Sequence, residues 1–141
     1  MKKMTEVTES NHKLNAGHWA EEEACTLLLS KGYRIVARNV RYKVGEIDII
    51  AWDKNTLCFV EVRSRSNKNF MDPKFSIQKA KQIRIIRSAQ LYLQKYFPRP
   101  PQCRFDVVSV IGNPEESEFE FIQGAFELTE TGSKGSPWKT Y

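Results

Sequence analysis

The stretch GEIDIIAWDKNTLCFVEVR, from Gly45 to Arg63, constrains this chain more than any other. It holds two apolar runs, Ile47–Trp52 and Leu57–Val62, separated only by Asp53-Lys54-Asn55-Thr56. Short runs rich in Ile and Val and bounded by turn residues read as strands, and a link this short folds them back on each other as a hairpin. Each run carries one acid, Asp48 in the first and Glu61 in the second. An uncompensated carboxylate in an apolar strand costs on the order of several kcal/mol. Hairpin pairing brings Asp48 near Glu61. Period-two alternation puts Glu61 and Arg63 on one face of their strand, with Val60 and Val62 on the other. Two converging carboxylates with a cation beside them suit a hard divalent metal and phosphoryl chemistry. The competing account makes both acids solvated edge-strand charges paired with Arg63 or Arg65. A zinc site is not indicated, since it would need Cys or His ligands.

A chain of 141 residues, 40% of them hydrophobic, suits one globular domain with its own core and not a disordered polymer. No apolar stretch is long enough to span a bilayer, and MKKMTEVTESNHK lacks the apolar segment of a secretory signal. Cys25, Cys58 and Cys103 are odd in number, widely spaced and without a CxxC, as expected of reduced thiols in a cytoplasmic protein. His12 and His18 are isolated and take no role. The net charge of +5 conceals an asymmetry. From Arg63 to Arg104 there are 11 Lys or Arg and one acid, Asp72, against 11 basic and 16 acidic residues elsewhere. Cations massed beside a candidate carboxylate site favour a polyanion, and nucleic acid before any other. A solvated basic helix without a partner is the alternative.

Residues 1–14 are polar and aperiodic and read as an N-terminal tail, and residues 129–141 as a loose C-terminal one, leaving a single domain over 15–128. The apolar stripe Ala20, Ala24, Leu27 and Leu28 predicts a helix from about Asn15 to Lys31, stopped by Gly32. Tyr33–Arg38 alternates as a first strand, and Asn39–Val44 is a loop or its continuation. After the hairpin, Ser64–Met71 reads as a flexible loop. Asp72-Pro73 then resembles an N-cap and first helical position. A long helix follows to Tyr96, ended by Pro98, Pro100 and Pro101. Its predicted stripe is Ile77, Ala80, Ile83, Ile86, Ala89 and Leu93, while Lys81, Arg84 and Ser88 share another face. Arg104–Ile111 is a fourth strand, Asn113-Pro114 a turn and Phe119–Gln123 a candidate fifth strand. Strands on either side of a long helix imply a crossover, hence an α/β or α+β domain with a central mixed sheet flanked by helices. Tyr92 and Tyr96 suit core or dimer packing better than base stacking. Phe70 sits in the polar loop between the acids and the basic helix, where it could stack on a base.

The segments GHWAEEEA (Gly17–Ala24), GYRIVARN (Gly32–Asn39), GEIDIIAWD, FVEVRSRS and RFDVV (Arg104–Val108), in this order and with the Lys81/Arg84 helix, resemble the YraN-like family of small bacterial proteins. That family is similar to Holliday-junction resolvases and the restriction-endonuclease-like PD-(D/E)xK nucleases. The resemblance covers roughly residues 15 to 126. It implies a metal-dependent endonuclease acting on nucleic acid, DNA before RNA, with Mg²⁺ or Mn²⁺ as cofactor and a homodimer as one arrangement. By position, Asp48 and Glu61 match the metal acids, with the Val62 carbonyl as a third ligand. Glu21 best matches the acid on the first helix, with Glu22 and Glu23 as adjacent candidates, and Arg63 stands where a lysine is usual. Arginine holds phosphate but stays protonated and cannot serve as a base. In some superfamily members the lysine role moves to a neighbouring helix, and here Lys81 is the candidate. Arg65, Lys68, Lys79, Arg84 and Arg87 would follow the nucleic-acid backbone. The arginine at position 63 supports an alternative, a binding module of the same fold that cleaves little or not at all.

Overall fold

The two apolar runs are paired strands in the computed structural model, which describes residues 9–66 and 77–127. The elements are helix α1 (Glu9–Ser30), strands β1 (Arg34–Tyr42), β2 (Gly45–Asp53) and β3 (Thr56–Arg65), helix α2 (Lys79–Leu93) with a 3-10 turn at Gln94–Tyr96, and strands β4 (Gln102–Asn113) and β5 (Glu116–Phe126). The strands form one sheet in the order β1-β2-β3-β4-β5. Neighbours are antiparallel except β3 and β4, which run parallel because α2 carries the chain across between them. This mixed five-stranded sheet with a helix on each face is an α+β fold of the restriction-endonuclease-like kind.

Burial on both faces explains why the central strands read as continuous apolar runs. On one face Ile85, Ile86, Ala89, Tyr92 and Leu93 of α2 pack on Ile47, Ile50, Leu57, Phe59, Phe105 and Val107. On the other, Ala20, Ala24 and Leu28 of α1 pack on Ile49, Ala51, Cys58, Val60, Val108 and Val110. Gly32, at φ 89, ends α1 as expected. The Gly32 N–H bonds the Leu29 carbonyl and the Tyr33 N–H the Leu28 carbonyl, each at 3.0 Å, the paired bonds of a Schellman cap. Buried Leu28 and Tyr33 share the α1-side core. Tyr92 and Tyr96 pack in an aromatic cluster with Phe59 and Trp52, in keeping with the core reading. All three cysteines are free, and burial pushes the Cys58 and Cys103 thiols up to about 12.

Several boundaries differ from expectation. α1 begins at Glu9, ahead of its apolar stripe, because no Pro or Gly interrupts residues 9–16. Asn39–Tyr42 continues β1, and Ser64 and Arg65 belong to β3. The second helix does not run unbroken from Asp72-Pro73. It begins at Lys79, after an extended Gln78 at ψ 155. Asp72, Pro73, Lys68 and Phe70 lie outside the described residues. Because Ile77 precedes the helix, its phase does not carry into it. The buried face is Ile85, Ile86, Ser88, Ala89, Tyr92 and Leu93, while Ala80 is exposed and Ile83 half-buried. Ser88 is therefore buried and does not share an exposed face with Lys81 and Arg84. Its hydroxyl donates to the Arg84 carbonyl at 2.9 Å and lies against Gly45.

Candidate active site where two strands part

β2 and β3 pair from Asp53↔Thr56 to Ile49↔Val60, and the register ends there. The next two residues across the hairpin are Asp48 and Glu61. Instead of a carbonyl of β2, the Asp48 carboxylate receives the Val62 amide: Oδ2 accepts that N–H at 2.8 Å. Side-chain alternation slips at the same place. Ile47 and Ile50 both join the α2-side core, and Ile49 and Ala51 the α1-side core. The slip leaves Asp48 free to turn toward the edge of β3. An extended strand presents the N–H and C=O of one residue on the same edge, so the Val62 carbonyl borders the gap as well.

Glu61 lies 4% exposed on the α2 face of β3. Its Oε2 meets Lys81 Nζ at 2.7 Å, as the Lys81 side chain reaches from the first turn of α2 across to β3. Lys81 remains 45% exposed. Burial first, and then the charge of Glu61, push the Asp48 carboxyl up to about 8. The Val62 N–H and the Lys81 ammonium oppose that shift, and the charge of Glu21 adds to it. Among the described residues one lysine thus serves two carboxylates, which leaves the pair short of positive charge there.

The structure brings Asp48, Glu61, Val62 and Lys81 together. Glu21, on α1, adds negative potential at Asp48, while its carboxylate faces Arg38 Nη2 at 3.7 Å. Among the described residues no three His, Cys, Asp or Glu side chains gather closely enough to hold a metal ion, so Glu21 does not complete a triad. The donor set is two carboxylates and a strand-edge carbonyl. All are hard oxygens of the type Mg²⁺ and Mn²⁺ take, and the charge deficit at Asp48 fits a cation there. Arg63 follows Glu61 on the same strand face, half-buried. Arg65 Nη2 lies 3.7 Å from Glu120 Oε1 on β5, so this cation has an acidic neighbour inside the fold. Lys79, Arg84 and Arg87 are exposed along α2.

Sequence reading passed over Arg41 and Lys43. They stand at the β1–β2 turn and line an open cleft of about 410 Å³ that Arg84 borders from α2. The available signal was a pair of basic residues flanking the turn that leads into the Asp48 strand.

A family model described as "Uncharacterised protein family UPF0102" matches residues 20–110. A UPF0102 protein of Chlorobium phaeobacteroides is 44% identical over 116 residues, covering 78% of this chain and 92% of its own length. One from Symbiobacterium thermophilum is 45% identical over 111 residues, covering 78% and 94%. A third, from Desulfosudis oleivorans, is 44% identical over 117 residues, covering 83% and 94%. The matched region contains β1, β2, β3 and α2, and with them every residue of the site.

Proposed function

The chain belongs to the UPF0102 family, the YraN-like group, and from that premise and the site geometry we propose that it is a metal-dependent endonuclease hydrolysing phosphodiester bonds, with DNA as the preferred substrate. The observation that carries this reading is the under-compensated acid pair Asp48 and Glu61, set where β2 and β3 part, with Lys81 at 2.7 Å from Glu61. Asp48, Glu61 and the Val62 carbonyl would hold Mg²⁺ or Mn²⁺. Such an ion supplies Lewis-acid polarisation of the phosphodiester and a more acidic bound water. Asp48, which binds a proton tightly in the folded chain, gives it up when a cation takes its place. Lys81 is fixed by Glu61 yet open to solvent, and so is positioned to meet a phosphate oxygen. Arg63 grips the same phosphate without exchanging a proton. Lys79, Arg84 and Arg87 follow the adjoining backbone and give salt-dependent, sequence-independent affinity.

The close Lys81–Glu61 pair and the absence of a third acid among the described residues favour a second reading, a nucleic-acid-binding module that does not cut. One experiment separates the two. Labelled linear, single-stranded, flapped and four-way DNA, with an RNA duplex alongside, is incubated with Mg²⁺, Mn²⁺ or EDTA. Asp48→Ala and Glu61→Ala accompany the wild-type protein, with a gel shift on each substrate. Metal-dependent cutting by the wild type, reduced at least about 100-fold in both variants, is expected. Equal cutting by the variants would sink the site. Binding without cutting under every metal supports the second reading and makes Arg63→Lys the next variant.

A further inference from the structure

We propose that the cleft between the β1–β2 turn and α2 seats the nucleic-acid phosphates that flank the scissile one, with Arg41, Lys43 and Arg84 as its cations. This rests on the reading of the acid pair as a site for nucleic acid, and adds to it where the substrate runs. The cleft is lined by Arg41, Tyr42, Lys43, Val44, Gly45, Glu46 and Arg84. Three of these are cations and one is an acid. Glu46 pairs with Arg41 at 3.2 Å, but both side chains are largely exposed, 52% and 75%, and pairs of that kind hold weakly. A phosphate can therefore compete for Arg41.

Gly45 sets the shape of the cleft. A Cβ there would lie 3.0 Å from Arg84 Cβ, from the Arg84 carbonyl oxygen and from Ser88 Oγ. Any side chain at this position would be tight against all three atoms and would push the turn off α2 by a few tenths of an ångström. That contact ties the cleft to the acid pair along two elements. Glu46 precedes Asp48 by two residues of β2, about 7 Å of extended strand. Arg84 follows Lys81 by three residues of α2, about 4.5 Å of helix rise. Phosphates of one nucleic-acid strand are spaced by about 3.4 Å of axial rise, so the cleft begins one to two nucleotides from the acids. The cations of α2 and of the turn then face a single path.

The test is fluorescence anisotropy of a labelled DNA duplex in EDTA, where no cutting intervenes, across a series of salt concentrations. Lys43→Ala and Arg84→Ala, singly and together, are compared with the wild type and with Arg34→Ala, an exposed cation at the far end of β1. Each cleft variant is expected to weaken binding by about 3–10-fold and to lower the log–log salt slope by about one, while Arg34→Ala changes neither. Gly45→Ala, which keeps every charge, is expected to weaken binding as well, with circular dichroism reporting whether it folds. If it does not fold, the charge variants carry the test. A double variant with the wild-type slope would overturn the cleft while leaving the acid-pair reading intact. No salt-dependent binding by the wild type would overturn both.

Discussion

Asp48 and Asp106 use the same device at two places in one sheet, and their surroundings separate them. Each aspartate accepts a backbone N–H where regular pairing fails. Asp48 takes the Val62 amide beyond the end of the β2–β3 register. Asp106 takes the Gly124 amide at 2.9 Å, at the irregularity between Phe105 and Val107 of β4. Around Asp106, which is 0% exposed, charge is matched. Arg104 donates from Nε and Nη2 to its two oxygens at 2.8 and 3.0 Å. Arg104 Nη2 also reaches Asp53 at 3.1 Å and the Tyr33 hydroxyl at 2.6 Å, and Gln123 Nε2 donates to that hydroxyl at 2.8 Å. The bond to Asp106 raises the pKa of Arg104, so this cation stays charged. A network satisfied in this way locks β2, β4, β5 and the segment after α1 together. Among the described residues Asp48 has no guanidinium and shares one lysine with Glu61, and burial and the Glu61 charge raise its affinity for a proton. A buried acid with its charge matched braces the fold, and the one left short of charge is where we propose that a cation binds.

The strongest way to break this contrast is Arg104→Ala. It leaves the buried Asp106 charge without its cation, only the Gly124 N–H remaining, and should cost about 3–5 kcal/mol in chemical denaturation. A loss below about 1 kcal/mol would mean the network is not a brace. Next in size is metal. Mn²⁺ at a hundredfold excess over its Kd should stabilise the wild type by about 2.7 kcal/mol and leave Asp48→Asn and Glu61→Gln unmoved, read as Tm against metal concentration.

A smaller effect is expected from pH alone, measured in EDTA. The folded chain holds the Asp48 proton up to about pH 8, whereas the unfolded chain releases it near the ordinary value of 3.8. Between those limits the folded state binds more protons, so the contribution of this group to stability falls as pH rises. Asp48→Asn keeps an acceptor for the Val62 N–H and removes the charge. It should flatten that slope and raise Tm at pH 8 by about 3–6 °C. A Tm equal to or below that of the wild type would remove the charge deficit. The smallest effect belongs to Lys81→Ala, expected to cost about 1 kcal/mol because water already reaching this half-exposed lysine takes its place against the buried Glu61 carboxylate, while metal-dependent cutting falls clearly. Cutting at the wild-type rate would return Lys81 to a plain surface pair.

What the sequence by itself determined was the part governed by local pattern. Two apolar runs four residues apart, each carrying one acid, read as a hairpin with its acids on adjoining strands, because so short a link folds one strand back on the other. Gly32 had to end the first helix, and a long amphipathic helix between strands had to cross over. Tertiary structure decided the rest. That Lys81 lands on Glu61, twenty residues away, depends on how the crossover seats α2 on the sheet, which no spacing along the chain encodes. The start of α2 at Lys79 and the rotation of its buried face follow from packing on Ile47, Ile50 and Phe59 instead of from the helix periodicity. Arg104 and Asp106 read as an ordinary basic-to-acidic alternation until the strand order surrounds them with Tyr33, Asp53 and Gln123. Arg41, Lys43 and Arg84 line one cleft where Gly45 lets the β1–β2 turn rest close on α2. Local pattern places a side chain on a face, and only the packed fold sets the charges opposite it, whose balance separates a brace from a site.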